Sequence, residues 1–182
     1  NYAESLLWDK KYIDIKEFYQ KLVIEDAKSF PALLGYANTL SNLKEFKDAL
    51  LYVDKALVVL PGNPNALVSK KYMRLGLAST KVTDSKYGEA ETILKENFVS
   101  FNNDKETLLN LANLYLISNQ TEKAKQTYET IGLDPANKLI SLNGISLAYH
   151  IDGKEKLALE TSEFAMAVLT EKTDIKLIKQ TK

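Results

Sequence analysis

Apolar residues recur at steps of three and four along most of the chain. Over 46–60 they are Phe46, Ala49, Leu50, Val53, Ala56, Leu57 and Leu60; over 105–117 they are Leu108, Leu111, Ala112 and Tyr115. That spacing marks one face of a helix with 3.6 residues per turn. No segment alternates strictly enough for strands. The pattern predicts about ten helices, near 2–9, 11–27, 31–42, 45–59, 65–80, 86–100, 105–118, 121–132, 137–151 and 154–171, with a short amphipathic tail helix near 173–180. Pro31, Pro61 and Pro64 fall where a helix starts or has just stopped, the places that tolerate proline. Gly62, Gly132 and Gly153 fall at predicted helix ends and turns.

The helices repeat. Ile15, Ala49, Ala90, Ala124 and Ala158 are spaced by 34, 41, 34 and 34 residues. Leu22, Ala56, Asn97, Ile131 and Ala165 keep the same steps, and so do Tyr19, Val53, Leu94, Tyr128 and Ser162. An aromatic series, Tyr12, Phe46 and Tyr87, lapses to Thr121 and Glu155. Several series in one register, sharing one seven-residue insertion, mark a repeat architecture. A helix pair has an apolar face that it cannot bury alone, and stacking on its neighbours buries it. Small residues set how closely the helices approach: Ala37, Ala112 and Ser146 on first helices, Ala49, Ala90, Ala124 and Ala158 on second helices.

These residues resemble a known family. Leu33-Leu34-Gly35-Tyr36-Ala37-Asn38, followed by Phe46, Ala49, Tyr52, Lys55-Ala56-Leu57 and Pro61, looks like a tetratricopeptide repeat (TPR). So does the stretch with Asn110-Leu111-Ala112-Asn113, Tyr115, Ala124, Tyr128 and Asp134-Pro135, and so does the unit with Leu142, Ile145, Tyr149, Gly153, Ala158 and Ala165. The resemblance implies an all-α fold, an α–α superhelix of about five helix-turn-helix repeats in a single TPR-like solenoid domain, 1–182. The repeats are 1–29, 30–63, 64–104, 105–138 and 139–172, with a tail over 173–182. It also implies a right-handed coil with a concave groove lined by first helices. The third unit departs from the pattern by its seven extra residues, and Lys70, Lys71 and Arg74 stand where packing residues would fall. Seven residues are about two helical turns. The insertion either lengthens a helix, with Leu77 and Ala78 taking over the packing, or lengthens the loop through Val82-Thr83-Asp84-Ser85.

Composition narrows the chemistry. There are 24 basic and 24 acidic residues, so the formal charge is zero, without the basic footprint of a nucleic-acid binder. Arg74 is the only arginine, which argues against a site built on bidentate phosphate or carboxylate recognition. The absence of cysteine removes disulfides, thiolate metal sites and thiol nucleophiles. With His150 the only histidine, no multi-histidine metal site exists. No apolar run approaches the ~18 residues of a membrane span, and no membrane insertion is expected. Phosphate-binding, nucleophile-elbow and HExxH motifs are absent, so neither an enzyme nor a cofactor is expected. The chain opens on Asn1, which fits a mature or excised piece. The lysine- and asparagine-rich, cysteine-free composition fits a bacterial protein, cytoplasmic or periplasmic.

A groove is then the expected functional surface. By register it receives Leu34, Asn38, Ser41 and Asn42 from the second unit and Val68, Tyr72 and Leu75 from the third. Leu109, Asn113 and Leu116 come from the fourth, and Asn143, Leu147 and His150 from the fifth. Carboxamides donate and accept, so they hold a peptide backbone without reading its side chains, while Leu and Tyr supply apolar area. His150 also fits a plain role at a helix end, where a cation suits the negative terminus. The terminal-carboxylate clamp of lysine, asparagine and arginine found in some TPR proteins is not reproduced. Lys70, Lys71 and Arg74 form the sharpest charged cluster; it is either a solvated face or a contact for an acidic partner segment. The expected function is a scaffold that binds a peptide segment of a protein partner, with no nucleic acid. The alternative is a structural or self-assembling segment of a larger machine, its ends (the amino-terminal unit and the tail with Lys172, Lys176, Lys179 and Lys182) stacking on copies of itself.

Overall fold

In the computed structural model the backbone is described over residues 2–102 and 104–180, and side chains over 11–102 and 104–170. Among the described residues the chain is all-α. Its helices are α1 (Tyr2–Glu25), α2 (Phe30–Asn42), α3 (Phe46–Val59), α4 (Pro64–Thr83), α5 (Tyr87–Ser100), α6 (Lys105–Ile117), α7 (Thr121–Gly132), α8 (Lys138–Ile151) and α9 (Glu155–Gln180). A 3-10 turn at Pro135–Asn137 precedes α8. Two compact units divide the chain, Asn1–Ile93 and Leu94–Lys182.

Local chemistry explains the boundaries. Ser29, Asn63 and Asp104 cap α2, α4 and α6, each side-chain oxygen accepting a backbone N–H three residues on, at 3.4, 3.1 and 2.9 Å. Pro31 and Pro64 occupy the first turns of α2 and α4. The first and second helices of a hairpin are joined by one repeated turn. Lys44, Ser85, Asn119 and Gly153 all have positive φ, 62°, 58°, 58° and 70°. In each turn that residue's N–H bonds the carbonyl three back and the next N–H bonds the carbonyl five back, at 2.7–3.1 Å. This left-handed closure satisfies carbonyls that a helix end leaves orphaned. Three of the four turns place a side-chain-bearing residue in a conformation that costs it about 1–2 kcal/mol, so the geometry is imposed by the packing of the hairpin.

The turns are spaced by 41, 34 and 34 residues. The extra seven residues therefore precede Ser85 and lie in α4, which runs for 20 residues against 13 or 14 for α2, α6 and α8. Of the two outcomes left open by the sequence, the longer helix is the one found. Its buried side chains are Ala66, Met73, Ala78 and Lys81, while Leu77 is half-buried. Two other expectations are corrected. The segments 2–9 and 11–27 form one helix, α1, because Asp9-Lys10-Lys11 contains no glycine or proline to break it. The tail near 173–180 continues α9 instead of forming a separate helix, for the same reason. The tail lysines named above lie outside the described side chains.

Each unit has its own core. In the first, Tyr36, Ala37 and Leu40 of α2 meet Ala49 and Val53 of α3 and Ala66 and Met73 of α4, with Tyr19 and Val23 of α1 packed against them. In the second, Leu111, Ala112, Leu114 and Tyr115 of α6 are buried, as are Ala124, Tyr128 and Ile131 of α7 and Leu142 and Ala148 of α8. Close approach depends on glycine facing an aromatic ring. A Cβ on Gly35 would lie 2.2 Å from the Tyr19 ring, one on Gly76 2.3 Å from Phe46, and one on Gly144 2.3 Å from Tyr128. Asn97, the polar member of an otherwise apolar series, is fully buried and donates to Thr107 Oγ1 at 3.0 Å. Burial of an amide is tolerated where it is hydrogen-bonded.

Candidate functional site

In the first unit the expected residues sit on α2 and α4. Asn38 and Asn42 are exposed, one turn apart on α2. Val68 and Tyr72 are half exposed (53% and 50%), one turn apart on α4. Leu34 and Leu75 are half-buried, Leu34 against the core. The charged cluster beside them is engaged within the unit. Lys70 Nζ lies 2.6 Å from Asp54 Oδ1 on α3, and Lys71 Nζ lies 4.5 Å from the centroid of the Tyr72 ring. Lys70 thus points its ammonium at the second helix of the preceding hairpin.

The second unit places Leu109 half-buried on α6 and Asn113 exposed. Asn113 Oδ1 accepts a 2.6 Å hydrogen bond from Tyr128 Oη, which gives the buried phenol its polar partner. Burial holds the Tyr128 hydroxyl above its ordinary pKa. Leu116 belongs to the core, only 8% exposed, and offers a ligand almost no area. On α8, Asn143 and Leu147 are exposed, and His150 Nδ1 lies 3.0 Å from Glu155 Oε1 at the start of α9.

An open groove of about 440 Å³ runs between α8 and α9. Asn143, Ser146, Leu147 and His150 form one wall, and Glu155, Ala158, Leu159 and Ser162 form the other. The Ser146 hydroxyl donates to the Ala158 carbonyl at 2.8 Å and lies 2.7 Å from Ser162 Oγ, so the floor is hydrogen-bonded within itself. The preceding interface, where α8 covers α6 and α7, is closed. There the Thr121 hydroxyl donates to the Asp152 carboxylate, and Lys125 Nζ lies 4.9 Å from the Tyr149 ring centroid. The Thr121 hydroxyl and the Lys154 ammonium hold the Asp152 carboxyl below its ordinary pKa. The hydrogen bond with Glu122 raises that of Lys125.

No family model and no curated protein sequence matches the chain. Solved structures do. The chain is similar to the crystal structure of MamA at a TM-score of 0.63 and 18% identity, over 96% of this chain and 98% of that one. It is similar to Podosopora anserina putative kinesin light chain nearly identical TPR-like repeats at a TM-score of 0.59 and 14% identity, covering 93% and 92%. It is also similar to YrrB, described as a TPR protein with an unusual peptide-binding site, at 0.50 and 16%, covering 89% and 97%. The chain has the tetratricopeptide-repeat fold.

Within this TPR-like solenoid, the positions that the register gives to first helices fall on α2, α4, α6 and α8. It brought Val68 with Tyr72, and Asn143 with Leu147, onto shared helix faces. It did not bring α9 into any site. Glu155, Leu159 and Ser162 went unnoticed because second helices were assigned to packing alone. Two signals were present: the aromatic series ends at Glu155, and the series through Tyr128 ends at Ser162. Among the described residues, no helix is long and apolar enough to cross a membrane, and no three His, Cys, Asp or Glu side chains are grouped to hold a metal ion.

Proposed function

We propose that the protein is a non-catalytic scaffold that holds a peptide segment of a protein partner on the first-helix faces of its repeats. One observation carries this reading: large apolar side chains, Val68 and Tyr72, stand half exposed on a first helix of a unit whose α2 presents exposed Asn38 and Asn42. Amides hold a peptide backbone and the Tyr–Val step supplies apolar area. YrrB, which shares the fold, is a peptide-binding protein by its description. The second unit offers the same chemistry with Leu109, Asn143, Leu147 and His150. Asn113, engaged by Tyr128, contributes at the edge. The contact needs no cofactor, and a neutral chain with one arginine does not suit nucleic acid.

The test is a pulldown with a Tyr72→Ala, Leu109→Ala variant beside the native chain, each captured partner identified by mass spectrometry. Loss of the same partner from the variant supports the reading, and retention moves the site elsewhere. The alternative is a structural segment that self-assembles. The observation in its favour is that Ile13 and Phe18 on α1 are 51% and 56% exposed. Light scattering across a concentration series separates the two, since the scaffold stays monomeric without its partner.

A further inference from the structure

The groove between α8 and α9 has an internal template. Its walls are the 34-residue images of residues on α6 and α7, three of which, Thr121, Lys125 and Tyr128, are buried. Ser162 stands in place of Tyr128, Leu147 in place of Asn113, Leu159 in place of Lys125 and Glu155 in place of Thr121. In the covered interface the Tyr128 ring fills a notch at Gly144, Lys125 meets Tyr149, and Thr121 meets Asp152. In the open groove the ring is gone, the amide–phenol pair has become leucine and serine, and the hydroxyl has become a carboxylate. Leu147 and Leu159 are 48% and 61% exposed, and the serine hydroxyls ask nothing of a visitor because they bond each other and the Ala158 carbonyl.

We propose that this groove docks a basic amphipathic helix of a protein partner, seated as α8 is seated on α6 and α7 but with the size pattern reversed. The visiting helix carries a bulky apolar residue where α8 has Gly144, because Ser162 leaves unfilled the space that the Tyr128 ring fills. Five places on, where α8 has Tyr149, it carries an apolar residue against Leu159. Eight places on, where α8 has Asp152, it carries lysine or arginine to meet Glu155, whose present partner is the exposed His150. Two observations choose this occupant: the groove continues an interface already built once in this unit, and Glu155 supplies the opposite charge. The groove shares Asn143, Leu147 and His150 with the second-unit part of the proposed function and so deepens that reading there, while it is distinct from the α2 and α4 face of the first unit that carries it.

Fluorescence anisotropy on the full chain tests it with two labelled peptides. One has the sequence of 138–152; the other has the same sequence with Gly144→Leu and Asp152→Lys. The altered peptide is expected to bind at least ten times more tightly. Ser162→Tyr, which restores the ring, should reverse that preference. Glu155→Lys, at an exposed position and therefore harmless to folding, should weaken the altered peptide at least fivefold, and a peptide with Gly144→Leu alone should recover the loss. Tyr72→Ala should change nothing, which separates this site from the first-helix face of the first unit. Equal affinity for the two peptides, or a preference that neither Ser162→Tyr nor Glu155→Lys moves, overturns the proposal. A dimer of the chain alone that Ser162→Tyr abolishes in sedimentation assigns the groove to a second copy and also overturns it.

Discussion

The seating of α4 on α3 and that of α8 on α7 solve one packing problem at different heights. Both crossings follow the same register. In the first unit the large residue sits at the start of the second helix, where Phe46 faces Gly76, and the middle holds the smaller Val53. In the second unit the ring sits in the middle, Tyr128 against Gly144, and the start is closed by the hydroxyl of Thr121 on Asp152. The seven extra residues of α4 are what allow the first solution. They add about two turns, which carry Gly76 past the middle of the crossing to reach Phe46 with the helix face almost unrotated. The repeat keeps one ring against one glycine at each crossing and leaves the position of the bulk free.

The sharpest way to break that comparison is to remove the rings. Tyr128 is 4% exposed and Phe46 is half-buried. Tyr128→Ala should cost about 3–5 kcal/mol and Phe46→Ala roughly half as much, read from urea unfolding. Equal costs would show that height in the crossing does not matter. A smaller effect is expected from the notches. Gly144→Ala forces a Cβ into a buried ring, and overpacking of ~1–3 kcal/mol outweighs the ~1 kcal/mol that alanine gains in a helix. Gly35→Ala meets Tyr19, a half-buried ring that can swing away, and should be close to neutral in the same assay.

The smallest effect concerns acid. The Asp152 carboxyl is held below its ordinary pKa by the Thr121 hydroxyl and the Lys154 ammonium. Its contribution is therefore complete above the unfolded value, about 4, and is lost as pH falls through the folded one. Amide exchange should show α7 and α8 loosening below pH about 4, and Asp152→Asn should flatten that dependence. An unaltered acid limb in the variant would place the sensitivity elsewhere.

The periodicity of small and large residues carried most of the architecture. The turn residues Lys44, Ser85, Asn119 and Gly153 follow the same steps as the alanine series, so helix pairing and hairpin closure are written in one register. The placement of the insertion was not legible, because a two-turn extension leaves the apolar face unchanged and only the turn geometry at Ser85 distinguishes a longer helix from a longer loop. The site was less legible than the fold. Leu116 carries the pattern of a groove residue and lies in the core, while Asn113 is engaged by a phenol from the next helix. Lys70 looks like part of a docking patch, yet it reaches Asp54 one hairpin back. Each depends on a contact with a neighbouring helix, which spacing along a single helix does not encode.

Every helix–helix pairing described within a unit joins elements no more than two places apart in the chain. Such a molecule has low contact order: forming any one crossing closes only a short loop, and the entropy lost is correspondingly small. Refolding should be fast, and damage should stay local. A lesion at Gly144 would fray α8 against α7 and leave the α6–α7 hairpin paired.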